Sequence, residues 1–303
     1  VCIIVSNSNN QNFFAVFGLL FGAVCWGIIW YPYRLMAEAG FSGVVSSVYT
    51  YSIAIAMGCV LFARHWRGVL QLPKHAFILC FVAGWTNLSY VLAVVDGEVM
   101  RVMLLFYLSP LWTLILAHLW LKEAIYRQGM IAIVISLIGA LVMLHDFNNT
   151  DWPLPRNQAE WLALSSGIGF SLTNVITRRS THLSIAAKSM LIWVGVAGMA
   201  CVLLPILGQS IPPVTAFHAT QWQLMVLIAL LLTSATIFVQ YGVTKMPAIR
   251  ASVLFMFELV VAAVASYYLA NEAMTWNEWL GGGLIIAAAL MSAMQPESPE
   301  PPS

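Results

Sequence analysis

Residues 101–123, RVMLLFYLSPLWTLILAHLWLKE, and residues 250–272, RASVLFMFELVVAAVASYYLANE, decide how this chain is read. Both are apolar runs that open on an arginine and close on a glutamate. Laid over one another at an offset of 149 residues, they pair Arg101 with Arg250, Leu105 with Leu254, Phe106 with Phe255 and Glu123 with Glu272; the next pair is Ala124 with Ala273. Any two apolar strings share some Leu and Phe, but rare charges falling in one register are harder to obtain by accident. A second offset, 144, pairs Trp26 with Phe170 and Arg34 with Arg178. The chain reads as an internal duplication.

Composition sets the solvent. Hydrophobic residues make up 61% of the 303 residues and charged ones 8%, against about 25% charged in soluble domains. Such a chain has too little polar surface to coat a soluble globule, so lipid must cover it. Apolar stretches near the ~20 residues that cross a bilayer as a helix fall at roughly 13–33, 43–63, 76–95, 102–121, 129–144, 161–177, 189–207, 222–244, 251–270 and 279–295. Closed barrels would show short alternating strands instead. Of the 13 basic and 12 acidic side chains, Glu258 is the only one expected deep inside a span.

Lys and Arg near span ends are retained in the cytoplasm. With ten spans both termini share one side, whose loops hold Arg64, Arg67, Lys74, Lys122, Arg127, Arg178, Arg179, Lys188, Lys245 and Arg250. The other side holds Arg34, Arg101 and Arg156. Both termini are therefore expected in the cytoplasm, with the chain in the cell inner membrane. Five spans per half is an odd number, so the second copy must lie upside down relative to the first. The expected fold is an all-α membrane protein: ten transmembrane helices in two inverted five-helix repeats, 13–145 and 159–295, around a central cavity. Inverted repeats give a fold two nearly equivalent states facing opposite sides, the architecture of secondary transporters. A polar segment, 1–12, precedes the first repeat, and a Pro-, Glu- and Ser-rich tail, 296–303, is expected to be disordered. Four of the five cysteines, Cys25, Cys59, Cys80 and Cys201, lie within spans, which argues against a disulfide framework or a metal site.

The segment Leu105 to Thr113 ending in Leu121-Lys-Glu123, and its partner Leu254 to Glu258 ending in Asn271-Glu272-Ala, resemble the paired EamA repeats of the drug/metabolite transporter superfamily. The resemblance covers nearly the whole chain and implies a ten-helix exporter with helices five and ten outside the cavity. Within that superfamily, Gly40-Phe-Ser-Gly-Val-Val-Ser-Ser-Val-Tyr-Thr-Tyr and the intramembrane aromatics look most like bacterial aromatic amino acid exporters. The copies differ where Pro110 of the first aligns with Leu259 of the second, leaving open whether they bend alike.

Polar residues that face lipid are unfavourable, so polar spans should line a cavity or a helix interface. The second, third, sixth and eighth spans are rich in such residues; the fifth and tenth hold almost none. The substrate-cavity residues expected on this basis are Tyr49, Trp85, Asn87, Tyr90, Tyr107, Trp112, Asn174, Gln240, Tyr241 and Glu258. Asn87 and Tyr90 share a helix face at a spacing of three, Thr236 and Gln240 at four. Each pair can face a solute or bond a neighbouring helix. A mid-membrane carboxylate costs several kcal/mol unless protonated, paired or hydrated. Glu258 therefore has three available roles: binding a substrate ammonium, relaying a proton, or bonding a neighbouring helix. Pro110 frees the carbonyl of Phe106 and is expected to form either a hinge or a static kink. Glu123, Arg127, Arg101 and Arg250 sit at span ends, where snorkelling and capping compete with a gating ion pair. Gly281, Gly282 and Gly283 permit close backbone approach, so the tenth span can pack in cis or support a homodimer as well as a monomer.

An aromatic, partly polar cavity suits solutes with an apolar body and a polar end. The expected function is export of small amino acid-like molecules, aromatic and other hydrophobic ones first, by alternating access, with lipophilic drugs or metabolites as the alternative. Sugar-phosphate cargo would require cations well inside a span. A membrane-embedded enzyme would need an H-E-x-x-H pair, a Ser-His-Asp set at one depth or a Cys/His cluster, and the sequence offers none. No cofactor, metal or catalytic residue is expected, and a net charge of +1 gives no reason to expect a nucleic-acid partner.

Overall fold

The structure is a computed structural model, and it describes residues 2–65, 76–96, 99–144, 155–269 and 275–294. Among these the chain is helical and contains no strand. In order, α1 is Cys2–Glu38, α2 Gly43–Leu61 and α3 Ala76–Asp96; α4 is broken into α4a, Val99–Phe106, and α4b, Ser109–Leu116, followed by a π-turn at Ala117–Leu121. Then come α5, Arg127–Leu144, α6, Gln158–Arg179, α7, Ile185–Ile206, and α8, Ala219–Lys245. The last is broken again, as α9a, Ala248–Phe255, and α9b, Phe257–Leu269, before α10, Trp276–Ala293.

Each expected span falls on one of these helices, because an apolar run in lipid must satisfy its own backbone groups. Among the described residues, seven segments are long and apolar enough to cross a membrane: Gln11–Glu38, Gly43–Leu61, Ala76–Ala93, Val102–Leu121, Ile185–Ile206, Ala219–Lys245 and Ala248–Leu269. Arg127–Met143 is a shorter apolar helix. Helix starts follow capping chemistry: Ser42 accepts from the Val45 amide, Asn157 from Glu160, Ser184 from Ala187, and Thr275 with Glu278 forms a capping box. The cap at Ser184 starts α7 earlier than hydropathy suggested. Lys188, expected in a loop, is therefore inside the first turn of the helix and fully buried. The polar segment 1–12 is drawn into α1 from Cys2 onward, since no Pro or Gly there ends the helix. The tail 296–303 and Glu272 lie outside the described residues.

Helix pairing follows a pattern. The closest partners are α1 with α8, α3 with α6, α2 with α7, and α5 with α10; α3 also packs on α7 and α8 on α2, while α1 packs on α9 and α6 on α4. Exchanging each of the first five helices with the helix five places later maps this set onto itself. Helices α5 and α10 pack on each other and on α4 and α9. Their close approach has a steric cause: a Cβ on Gly139 would stand 2.8 Å from the Gly281 carbonyl oxygen, and one on Gly281 2.4 Å from that of Gly139. Gly281 thus packs in cis, while nothing lies within 4 Å of a Cβ placed on Gly283.

The two breaks also correspond. Helix α4 is interrupted at Tyr107 and Leu108, and α9 at Met256, the residue aligned with Tyr107 at the 149 offset. Around each break the backbone tightens to three-residue bonds, Leu111 N–H to Leu108 O at 3.0 Å and Leu259 N–H to Met256 O at 3.1 Å. Pro110 lies just past the break, in the first turn of α4b, where its missing N–H has little cost. Since the second copy breaks in register with Leu259 in that place, proline is not required. Close helix contact at the break is shared: the Ser109 carbonyl accepts from Ser171 Oγ at 2.8 Å, and the equivalent Glu258 carbonyl lies 3.0 Å from a Cβ placed on Gly27.

Candidate functional site

Where the broken helices meet α1, α3 and α6, aromatic rings gather. Trp26 lies 5.6 Å from Phe255 and 6.1 Å from Phe170; Phe170 lies 5.1 Å from Phe255 and 5.6 Å from Phe106. Tyr90 packs on Phe106 at 4.9 Å, and Phe106 on Tyr107 at 5.2 Å. Under the two sequence offsets Trp26 exchanges with Phe170 and Phe106 with Phe255, so the contacts Trp26–Phe255 and Phe170–Phe106 are equivalents, and both measure 5.6 Å. The cluster therefore sits where the two halves of the chain meet.

Glu258 lies beside it. It occupies the first turn of α9b, where exposed amides and the helix dipole favour a carboxylate by about 0.3–1 kcal/mol. Its carboxylate faces the Tyr107 hydroxyl, with Tyr90 close by. A carboxylate, two phenols and four further rings thus converge at the helix breaks. Such an arrangement can hold an organic cation by charge and by ring faces together.

The other expected cavity residues scatter around this centre. Asn87 Nδ2 donates to the Tyr51 hydroxyl at 3.0 Å, and the Tyr33 hydroxyl meets Thr50 Oγ1 at 3.1 Å, a polar chain that ties α1, α2 and α3. Tyr241 shares an apolar cluster with Phe170, Leu254 and Phe255. Asn174 on α6 and Gln240 on α8 are buried, as are Thr173 and Thr177. Asn174 Nδ2, Gln240 Oε1 and both threonine hydroxyls have no protein partner among the described residues. Thr236, paired with Gln240 by spacing, bonds back to its own helix at Leu232 O. Trp112 Nε1 is likewise unpartnered, and Trp85 is 36% exposed on the outer surface. Tyr49 sits apart, its hydroxyl donating to the Pro212 carbonyl and its ring 4.7 Å from Phe217. With Phe41, Trp222 and the Ser42–Gln209 bond of 2.6 Å, it closes one end of the bundle.

At the opposite, basic end, helix termini cap one another. The π-turn closes with Lys122 left-handed at φ 54° and the Glu123 amide bonded back to Ala117 O at 3.3 Å, which aims Glu123 across the bundle. Both carboxylate oxygens then accept from the Ala248 amide at 3.1 Å, capping α9a. Arg178 approaches Glu123 at 3.9 Å and donates to the Thr244 carbonyl near the end of α8. Lys188 Nζ donates to the Thr177 carbonyl and to Thr244 Oγ1, each at 2.9 Å. Burial raises the Glu123 carboxyl above its ordinary range, opposed by the Ala248 amide and by Arg178. Arg250 donates to the Ser292 and Ala293 carbonyls at the end of α10, so it caps a helix. Arg127 is exposed, and the Arg101 side chain lies outside the described residues.

Sequence reasoning did not select Trp26, Phe106, Phe170, Phe255, Lys188 or Thr244 as site residues. For the four aromatics a signal was present: they are the two aromatic pairs brought into register by the offsets that matched the charges.

The sequence model of the EamA-like transporter family matches residues 13–145 and again 157–294. Among curated relatives, Protein RarD of Salmonella typhi is 25% identical over 130 residues, 41% of this chain and 44% of that protein, so the match spans less than half of RarD. An uncharacterized transporter of Archaeoglobus fulgidus is 21% identical over 68% of this chain and 72% of its own length. A riboflavin transporter of Brucella anthropi is 21% identical over 84% and 88%. A solved crystal structure superposes with a TM-score of 0.77 at 14% identity, covering 92% of this chain and 96% of that one, and so shares its fold.

Proposed function

We propose, because this chain belongs to the EamA-like transporter family, that it is a secondary transporter of small organic solutes, built as two inverted five-helix repeats crossing the inner membrane ten times. The family is one of multi-pass membrane transporters, which sets the class; substrate and mechanism are inferred from the site. The exchange-symmetric helix pairing and the aligned breaks in α4 and α9 support the inverted repeat. The bias of Lys and Arg supports cytoplasmic termini, which places the basic end in the cytoplasm.

The observation that carries the substrate reading is Glu258 facing Tyr107 and Tyr90, which pack on Phe106 at the edge of the cluster with Trp26, Phe170 and Phe255. An ammonium bound at the carboxylate with an apolar body among the rings describes aromatic and large hydrophobic amino acids. Alternating access requires a closed end that can open. The interhelical caps at the basic end and the Tyr49–Phe217–Trp222 cluster at the other are the contacts that such opening would part. Above the caps, Thr173, Asn174, Thr177 and Gln240 carry buried polar atoms with no protein partner among the described residues, groups that can bond water or solute when that end opens.

Counterflow in proteoliposomes tests this. Labelled phenylalanine and tryptophan should exchange saturably against internal unlabelled solute, whereas threonine and a nucleotide sugar should not. Riboflavin belongs in the panel because its rings suit the same cluster and one relative bears that name. Running the panel with and without a pH gradient separates proton coupling from facilitated exchange. Absence of counterflow for every aromatic amine would remove the substrate reading.

A further inference from the structure

On the flank of the basic end lies a lateral groove of about 600 Å³, within the range of small-molecule sites. Its walls are Ile78 near the start of α3, Ile176 in the last turns of α6, and Trp120 in the π-turn after α4b. Its mouth carries Arg179, Ser180 and His182. Ile78 is 55% exposed and Trp120 48% exposed, so the groove opens toward lipid rather than toward the helix breaks.

Three cations near this end are held by neighbouring groups. Arg178 is committed to the Thr244 carbonyl and Glu123, Lys188 to Thr177 and Thr244, and Arg250 to the end of α10. Arg179 is exposed at the groove mouth. The site lies at the C-terminus of α6, whose dipole places roughly half a negative charge there. The Ser180 amide already satisfies the Ile176 carbonyl at 2.9 Å, and the full charge of Arg179 outweighs that partial charge.

We propose that this groove is a binding site for one anionic phospholipid of the leaflet at the basic end. The headgroup phosphate meets the Arg179 guanidinium and the Ser180–His182 turn, while the start of an acyl chain lies along Ile78, Ile176 and Trp120. A tryptophan at this depth suits the headgroup boundary. Grooves at the cytoplasmic ends of membrane helices that combine a cation with apolar walls select anionic headgroups. A zwitterionic lipid fills the same walls but carries its own cation, which opposes Arg179.

Native mass spectrometry of the purified full chain, after exchange into phosphatidylcholine, phosphatidylglycerol or cardiolipin, tests the site. The wild type should retain one phosphatidylglycerol or cardiolipin under conditions that strip phosphatidylcholine. Arg179→Gln should weaken that retention about five-fold, the effect expected for one cation near the surface, and Arg179→Glu should weaken it further. Arg34→Gln, at the opposite end, should leave retention unchanged. Equal retention of anionic and zwitterionic lipid by the wild type would overturn the proposal. So would undiminished phosphatidylglycerol retention in Arg179→Gln with wild-type melting temperature.

Discussion

Replacing Glu258 with Gln separates the ammonium-binding role from a purely structural one. The side chain keeps its length in the first turn of α9b, and an amide can still meet the Tyr107 hydroxyl, so the fold has no reason to collapse. The loss is the charge. A hydrogen bond from a substrate ammonium to a carboxylate is worth about 1.5–3 kcal/mol, and to a neutral amide about 0.5–1.5. The difference, about 1–2 kcal/mol, is roughly 5- to 30-fold in affinity. The assay is competition against counterflow by phenylalanine and by 3-phenylpropionate, which lacks the amine. Wild type should prefer phenylalanine, and the preference should shrink by that factor in Glu258→Gln. Tyr107→Phe, which leaves the carboxylate in place, should keep most of it. An unchanged preference in a Glu258→Gln protein that melts like wild type would refute ammonium binding and leave Glu258 a helix-bonding group.

The caps at the basic end make further predictions. Arg178→Ala removes the donor to the Thr244 carbonyl, and labelling of a cysteine at position 177 by an impermeant maleimide from the basic side should rise about five-fold or more, given about 1 kcal/mol for a partly exposed charged contact. The raised Glu123 carboxyl means that the closed end holds a proton more tightly than a hydrated Glu123 does. Its contribution is full below the ordinary carboxylate range and is lost as pH rises through the raised midpoint. Acidifying the basic side should therefore slow labelling at 177, normalised to an exposed reference thiol, and Glu123→Gln should flatten this dependence. Gly195→Ala, whose Cβ would stand 2.0 Å from the Cys80 carbonyl oxygen, must push α3 from α7 and should cost about 1–3 kcal/mol. Gly198→Ala, with nothing within 4 Å, should be neutral or slightly stabilising in thermal melts.

Helix positions were legible in the sequence because each is a local balance: an apolar run long enough for lipid, begun by a capping side chain such as Ser42, Asn157 or Thr275. The position of Lys188 was not, since hydropathy ends a span at the first charge, whereas the long lysine stem buried here reaches the Thr177 carbonyl of α6 and the Thr244 hydroxyl of α8. The breaks in α4 and α9 were half legible. Pro110 flagged the first, but nothing local flags Met256, which lies where α9 passes close to Gly27 of α1. Polarity singled out Tyr90, Tyr107 and Glu258, yet it equally singled out Tyr49 and Trp85, which the structure places far from them or on the surface. Which face of a helix meets which neighbour is a property of helix pairing, and composition does not carry it.

On the proposed inverted repeat, the divergence between the halves matters more than their likeness. Two identical inverted copies would give two end states of equal free energy, so any bias must come from positions where the copies differ. Three such differences cluster at the centre: Glu258 stands where the first copy has Ser109, Met256 where it has Tyr107, and Gly27 where the second has Ser171. A fourth lies at the ends. Arg178 joins a set of interhelical caps with Glu123, Thr244 and Lys188, whereas the aligned Arg34 makes an exposed pair with Glu38 within its own helix, at 3.3 Å. Such an exposed i,i+4 pair is worth only about 0.3–0.5 kcal/mol and holds no two helices together. Among the described residues, then, polar bonds tie neighbouring elements at both ends, the Glu123–Arg178–Thr244–Lys188 set at the basic end and Ser42–Gln209 with the Tyr49–Pro212 bond at the other, and the two sets differ in their groups. A substrate that neutralises Glu258 need then shift the balance between them by only a few kcal/mol to exchange one closed end for the other.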